Sequence, residues 1–342
     1  MNLHFFEPPA EERIGGLEAA IVSLRESLRN KGVKVDSSFP EAAGDEVVHF
    51  HGLWQIEHAR LGRKCAARGI PYVVSPHGML EPWAWRHKWW KKWPYFQLIE
   101  KRYLAGAAAL LATAPMEARR LAKFAPKQRI ETLPLGLTGT ARPDYRTARQ
   151  QLGWAPEEVV LLFLSRLHIK KGPDLLLKAL SSMKWPRVAR LVFVGEGDPG
   201  YVDSLKQFAT DHAASLPRID WLGAVWGEAR WKYFQAADLF CLPTHSENFG
   251  LAVLEACQVG TPTLTTVETP WAEELTDGRG YIASPRVESV RDALAQYFSA
   301  PRRTSEQRAA LADWAQERYG WDHLADRYLE FYSSLLKPNP TV

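Results

Sequence analysis

The sequence predicts an α/β protein built from two units, each with a parallel sheet. Three observations carry this reading. Short apolar runs alternate with helical apolar spacing along most of the chain, the pattern of β-α-β units. The 342 residues exceed a single domain of typical size. The same rhythm occurs on both sides of a stretch at 136–143 that is rich in Gly, Thr and Pro and lacks apolar periodicity.

Taken in order, the first half places strands at 3–6, 47–50, 72–75, 109–113 and 130–133, each short and mostly apolar. Helical spacing falls at 17–30, 57–68, around 91–104 and at 115–124. The second half places strands at 159–165, 189–195, 219–222, 239–243 and 261–265, interleaved with helices near 174–183, 201–214, 228–236 and 251–259. Beyond about residue 285 the pattern is purely helical, at 287–298, 305–319 and 321–336. This gives domains at 1–140 and 141–320, with a terminal helix at about 321–337 folding back on the first. No internal sequence repeat is visible.

Composition narrows the function class. With 46% hydrophobic and 24% charged residues the chain is globular. Its net charge of +4 is too mild for a dedicated nucleic-acid binder. Cys65, Cys241 and Cys257 are scattered and odd in number, which favours neither a disulfide framework nor a zinc site and fits a cytoplasmic protein. No signal-peptide pattern and no bilayer-length apolar run is present.

Two segments carry chemistry. In Arg166-Leu-His-Ile-Lys-Lys171-Gly172-Pro173 a buried strand ends and a helix begins, the edge where doubly wound sheets bind ligands. Arg166 and Lys171 together can neutralise a diphosphate without a metal. Gly172 allows close backbone approach, and Pro173 suits a first helical turn. Alone, the two cations read as solvated loop residues. The second segment is His245-Ser-Glu247-Asn248-Phe249-Gly250, followed by the apolar helix that carries Glu255. Were the segment helical throughout, the two carboxylates would stand about 12 Å apart at 1.5 Å per residue. That is longer than the roughly 5–10 Å of glycosidase pairs, and suits contacts to two ends of one long ligand.

Arg-x4-Lys-Gly followed about 75 residues later by Glu-x7-Glu resembles the retaining family 4 glycosyltransferases of GT-B fold. The Gly15-Gly16 pair after the first strand, His77 in Ser-Pro-His-Gly and the Gly260-Thr-Pro turn extend the likeness. The resemblance implies two Rossmann-like, doubly wound domains facing each other across a cleft. It also implies a nucleotide-sugar donor held mainly by the C-terminal one. Arg166 and Lys171 would then stabilise the diphosphate, Glu247 the sugar hydroxyls and Glu255 the ribose, with His77 in the active site. Backbone at Gly16, Gly172, Gly197, Asn248, Phe249 and Gly250 would line the donor. The implied enzyme is a retaining, metal-independent hexosyltransferase using UDP as the commonest nucleotide, without a cofactor, that extends a glycan or lipid-linked acceptor in surface polysaccharide synthesis. No Asp-x-Asp occurs in the chain, which argues against a metal-clamped diphosphate. A non-catalytic carbohydrate-binding or scaffold protein on the same fold is the alternative reading.

Gly195-Glu-Gly197-Asp-Pro-Gly200 also fits a dinucleotide fingerprint. Glu196 and Asp198 would face a pyrophosphate with like charge, Pro199 removes a donor, and the unit is not on the domain's first strand. An NAD-dependent oxidoreductase is therefore a remote reading.

Five of the 14 Trp, at 83, 85, 89, 90 and 93, fall within eleven residues. Across 81–102 six basic residues oppose two acidic ones, an excess equal to that of the whole chain. Trp83, Trp85, Lys88, Trp89, Trp90, Lys91, Lys92 and Trp93 suit an anionic membrane interface, on the inner face of the plasma membrane. Core packing and an acceptor subsite are equal alternatives for these tryptophans.

Overall fold

A computed structural model gives the architecture and describes residues 1–9, 16–86, 89–137, 141–184 and 188–336. The chain divides into two compact units, Met1–Thr138 with Tyr319–Val342, and Gly139–Arg318.

The first unit runs β1 (Asn2–Phe6), α1 (Leu17–Asn30), β2 (Lys34–Asp36), β3 (Glu46–His51), α2 (Ile56–Arg68), β4 (Tyr72–Ser75), α3 (Pro82–Arg86) and α4 (Trp89–Tyr95). A π-helical turn, Phe96–Glu100, then leads to α5 (Lys101–Gly106), β5 (Ala109–Ala112), α6 (Pro115–Phe124) and β6 (Ile130–Thr132). Its six parallel strands lie in the order β2-β1-β3-β4-β5-β6. Alternation along β3 sends Val48 and Phe50 to a core layer with Leu61, Tyr72 and Tyr103. Val47 joins Leu3, Phe5, Ile21 and Leu24 on the other face. The C-terminal helix, Trp321–Leu336, supplies Tyr328, Phe331 and Tyr332 to that second layer.

The second unit runs α7 (Tyr145–Leu152), β7 (Val159–Leu164), α8 (Pro173–Ser181), β8 (Ala189–Val194), α9 (Pro199–Asp211), β9 (Arg218–Trp221), α10 (Trp231–Ala236) and β10 (Leu239–Cys241). It continues with α11 (Leu251–Gln258), β11 (Thr263–Thr266), α12 (Trp271–Glu274), β12 (Gly280–Ala283), α13 (Val287–Ser299) and α14 (Ser305–Tyr319). Its parallel order is β12-β11-β10-β7-β8-β9. Strand β7, and β8 from Leu191 on, read as continuous apolar runs because helices cover both faces; Val159 to Phe163 are all fully buried.

The structure departs from the sequence expectations at marginal elements. Strands β2 and β12 lie at sheet edges and are short; β2, Lys-Val-Asp, buries only Val35, and β12, Gly-Tyr-Ile-Ala, buries only Ala283. The long helix expected around 91–104 is present as one continuous helical stretch, 89–106, in which α4 passes through a π-helical turn into α5 with right-handed helical backbone at Tyr95, Glu100 and Lys101. Pro94, inside α4, lacks the N–H that a regular ladder would need there. Part of the linker at 136–143 lies outside the described residues.

Candidate active site

In each sheet the strand order reverses beside the first strand, between β1 and β3 in one unit and between β7 and β10 in the other. Such reversals leave a crevice outside the carboxyl ends of the strands. The second unit brings its motif residues together there. Arg166 is exposed in the loop after β7. The following turn, Ile169–Lys171, starts with the His168 ring accepting the Lys170 N–H and ends at Gly172. Gly172 has φ +71°, and a Cβ there would stand 2.2 Å from the Pro243 carbonyl oxygen. Only glycine fits this close approach.

The loop after β10 is tied to that turn. The Lys170 carbonyl accepts from the His245 N–H at 2.7 Å and from the Thr244 hydroxyl at 2.8 Å. Lys171 and Glu247 form an ion pair, with side chains 16% and 9% exposed. The Glu247 N–H donates to the Glu268 carbonyl at 3.1 Å. Residues 166–172 and 243–247 therefore present one rigid rim, with Arg166, Lys170 and Lys171 around His168. Burial first, then those three cations, lowers the His168 pKa, as an anion-attracting loop would.

Glu247 lies in the loop, and the helix begins only at Leu251 after Gly250 at φ +81°. This corrects the helical spacing assumed for the two glutamates. Glu255 sits on α11, 8% exposed, with Arg230 at 2.9 Å. Phe249 is buried against Trp271, at 5.3 Å between ring centres, and the Trp271 indole N–H donates to its carbonyl. Arg230 and Trp271 were not singled out from sequence, because neither belongs to a spaced motif. Asn248 is half-buried on the same rim.

The dinucleotide-like loop has a structural explanation. A Cβ at Gly195 would meet the Ser165 carbonyl oxygen at 1.9 Å, and one at Gly197 the Leu167 carbonyl oxygen at 1.9 Å. Both glycines let this loop lie against the Arg166 loop, where the Leu167 N–H donates to the Glu196 carbonyl at 2.7 Å. Asp198 caps α9 by accepting the Tyr201 N–H at 3.0 Å, which leaves a pyrophosphate no part in shaping the turn.

In the first unit Gly16 is exposed at the start of α1, while Gly15 lies outside the described residues. His77 follows β4 with φ +50°, strained for a side chain with a Cβ. Gly78 is pinned by its N–H donating to the buried Glu117 carboxylate at 2.7 Å. His51 Nδ1 and His77 Nε2 are 3.0 Å apart, and the two rings are nearly parallel. His49, in turn, is buried between the Tyr332 hydroxyl at 2.8 Å and the Ser75 hydroxyl at 2.7 Å. Burial lowers the His77 pKa to about 4.

The five clustered tryptophans lie on α3 and α4. Trp89, Trp90 and Trp93 are more than half exposed and Trp83 is 37% exposed. Trp85 turns inward against Trp54, Phe96 and Phe124. Lys88 lies outside the described residues. Among the described residues no helix is long and apolar enough to cross a membrane. No group of three or more His, Cys, Asp or Glu among them is placed to hold a metal ion.

Comparison with known proteins adds to this geometry. Residues 144–318 match the profile described as glycosyl transferases group 1, and residues 38–136 that of a glycosyl transferase 4-like domain. D-inositol 3-phosphate glycosyltransferase of Rhodococcus erythropolis is 30% identical over 247 residues, 69% of this chain and 56% of that protein. The chain thus spans little more than half the length of that curated relative. Sucrose-phosphate synthase from Thermosynechococcus elongatus superposes with a TM-score of 0.78 at 16% identity, over 98% of each chain. Anabaena HepE, solved in complex with UDP and glucose, gives a TM-score of 0.74 at 18% identity, over 98% of this chain and all of that one. At these identities the two solved structures speak for the fold.

Proposed function

The chain belongs to the glycosyl transferases group 1 family and has a GT-B fold of two Rossmann-like units; from this premise we propose that it is a retaining glycosyltransferase. The donor is a nucleoside-diphosphate sugar, and the acceptor a glycan or lipid-linked saccharide of surface polysaccharide synthesis. The observation that carries the proposal is the Lys171–Glu247 pair at the point of strand reversal between β7 and β10.

In this reading Arg166 and Lys171 take the diphosphate, and their charge-assisted hydrogen bonds strengthen as the leaving group gains charge. Glu247, released from Lys171, accepts hydrogen bonds from sugar hydroxyls. Glu255, oriented by Arg230, accepts from the ribose. The backbone at Asn248, Phe249 and Gly250, held by Trp271, leads into the N-terminus of α11, an end that favours an anion. Gly172 and Gly197 hold the two loops that carry these groups, Gly16 lines the donor from the first unit, and His77 contacts the sugar. The two cations make a metal unnecessary for the departing diphosphate, and no cofactor is needed.

UDP is the proposed nucleotide; the Anabaena protein of the same fold was solved with UDP and with UDP-glucose. The exposed Trp83, Trp89, Trp90 and Trp93 with Lys91 and Lys92 are proposed to rest on the anionic inner face of the plasma membrane, where a lipid-linked acceptor is reached. A thermal-shift screen of nucleoside diphosphates and their sugars tests the donor assignment. Saturable stabilisation by one nucleotide, lost in Lys171→Ala, supports it, and stabilisation by none overturns it.

A further inference from the structure

His51 is 1% exposed on β3, and three aromatic rings fix its place. Phe5 meets it edge-on at 4.9 Å, His49 lies at 4.0 Å between ring centres, and His77 lies nearly parallel to it at 5.3 Å with 16° between planes. Its Nδ1 stands 3.0 Å from His77 Nε2, while its own Nε2 is buried with no hydrogen-bond partner among the described residues. Burial is the first cause that keeps both rings neutral. His49, His77, His58 and Arg25 add further repulsion against a proton on His51.

Two neutral imidazoles allow four proton placements. A proton on both facing nitrogens is a clash, and a proton on neither sets two lone pairs against each other at 3.0 Å. If His77 donated from Nε2, the His51 proton would sit on Nε2, as a buried N–H without an acceptor. Orphaned buried N–H groups are rarer and costlier than unused acceptors. The remaining placement has His51 donating from Nδ1 to His77 Nε2, with the His77 proton on Nδ1.

We propose that His51 is a positioning residue that locks His77 in its Nδ1–H form, so that His77 meets its ligand as a hydrogen-bond donor and not as a base. The strained backbone of His77 and the anchoring of Gly78 by Glu117 hold the ring in the orientation that this bond requires. That the ligand is a sugar hydroxyl rests on the glycosyltransferase reading; the tautomer does not.

The experiment is long-range proton–nitrogen NMR of the full chain with labelled histidine at neutral pH, with His77→Gln to assign the signal. The expected spectrum shows His77 protonated on Nδ1. His51→Asn, whose amide N–H can replace the Nδ1 donor, keeps that pattern, and His51→Phe loses it. Sugar transfer then falls about 10- to 100-fold in kcat in His51→Phe and recovers in His51→Asn. A wild-type His77 protonated on Nε2, or a His77 signal indifferent to His51→Phe, overturns the proposal. If the wild-type tautomer is Nδ1–H and no sugar is transferred, the tautomer stands and the glycosyltransferase reading fails.

Discussion

Replacing Glu247 by Gln is expected to tighten binding of a bare nucleoside diphosphate while weakening use of the sugar nucleotide. In the ligand-free chain Lys171 is held by Glu247, in a pair with little exposure on either side. A diphosphate that takes Lys171 must first displace that carboxylate. Gln keeps the shape and leaves a neutral hydrogen bond in place of a charge-assisted one. The difference is about 1–1.5 kcal/mol, or about tenfold in dissociation constant. The same amount should be missing from the stability of the free variant, and the nucleotide should restore it. Isothermal titration of UDP into both proteins at low salt reads the affinity, and steady-state transfer reads the lost sugar contact. Equal or weaker UDP binding by the variant would refute the idea that Lys171 is shared between Glu247 and a diphosphate.

Three further perturbations follow from the geometry. Gly172→Ala adds a Cβ 2.2 Å from a carbonyl oxygen at φ +71°; the left-handed backbone alone costs about 1–2 kcal/mol, so both the melting temperature and transfer should fall, and unchanged activity counts against a rigid rim. Arg230→Ala removes the cation 2.9 Å from Glu255 and should destabilise by about 1–3 kcal/mol with a raised KM for the donor; a donor KM equal to wild type removes Glu255 from the ribose. His58 is 5% exposed, and chiefly burial lowers its pKa from 6.5 to about 4. Its contribution is present above pH 6.5, and the unfolded chain takes up the proton first as pH falls. About 3 kcal/mol is then lost between pH 6.5 and 4, so urea midpoints that stay flat over that window contradict its buried, neutral state.

Much of the second unit's site was legible because its chemistry is local in sequence. Arg166 to Gly172 and Glu247 to Glu255 each occupy one loop or one loop and helix, and the strand ahead of each is a plain apolar run. What sequence could not supply was pairing across the sheet. Lys171 facing Glu247, Arg230 facing Glu255 and Trp271 closing on Phe249 join residues that are 22 to 76 positions apart. The glycines of the dinucleotide-like loop illustrate the converse: their pattern is real, but it serves loop-to-loop contact at Ser165 and Leu167. Strands β2 and β12 were missed because each is only three or four residues long: β2 has one apolar residue, Val35, between two charged ones, and β12 opens on Gly280 and buries only Ala283. Four of the five clustered tryptophans lie on the surface, and the one core member, Trp85, is set apart only by packing against Trp54 and Phe124.

We propose that this chain transfers a sugar from a nucleoside-diphosphate donor through the rim of Arg166, Lys171 and Glu247. The most direct measurement incubates the protein with a panel of nucleotide sugars and saccharide acceptors, detects free nucleoside diphosphate, and reads the new linkage by NMR. The expected result is release of one nucleoside diphosphate, transfer with retained anomeric configuration, and loss of both in Lys171→Ala. Transfer that is undiminished in Lys171→Ala, or that inverts the anomeric centre, would contradict it.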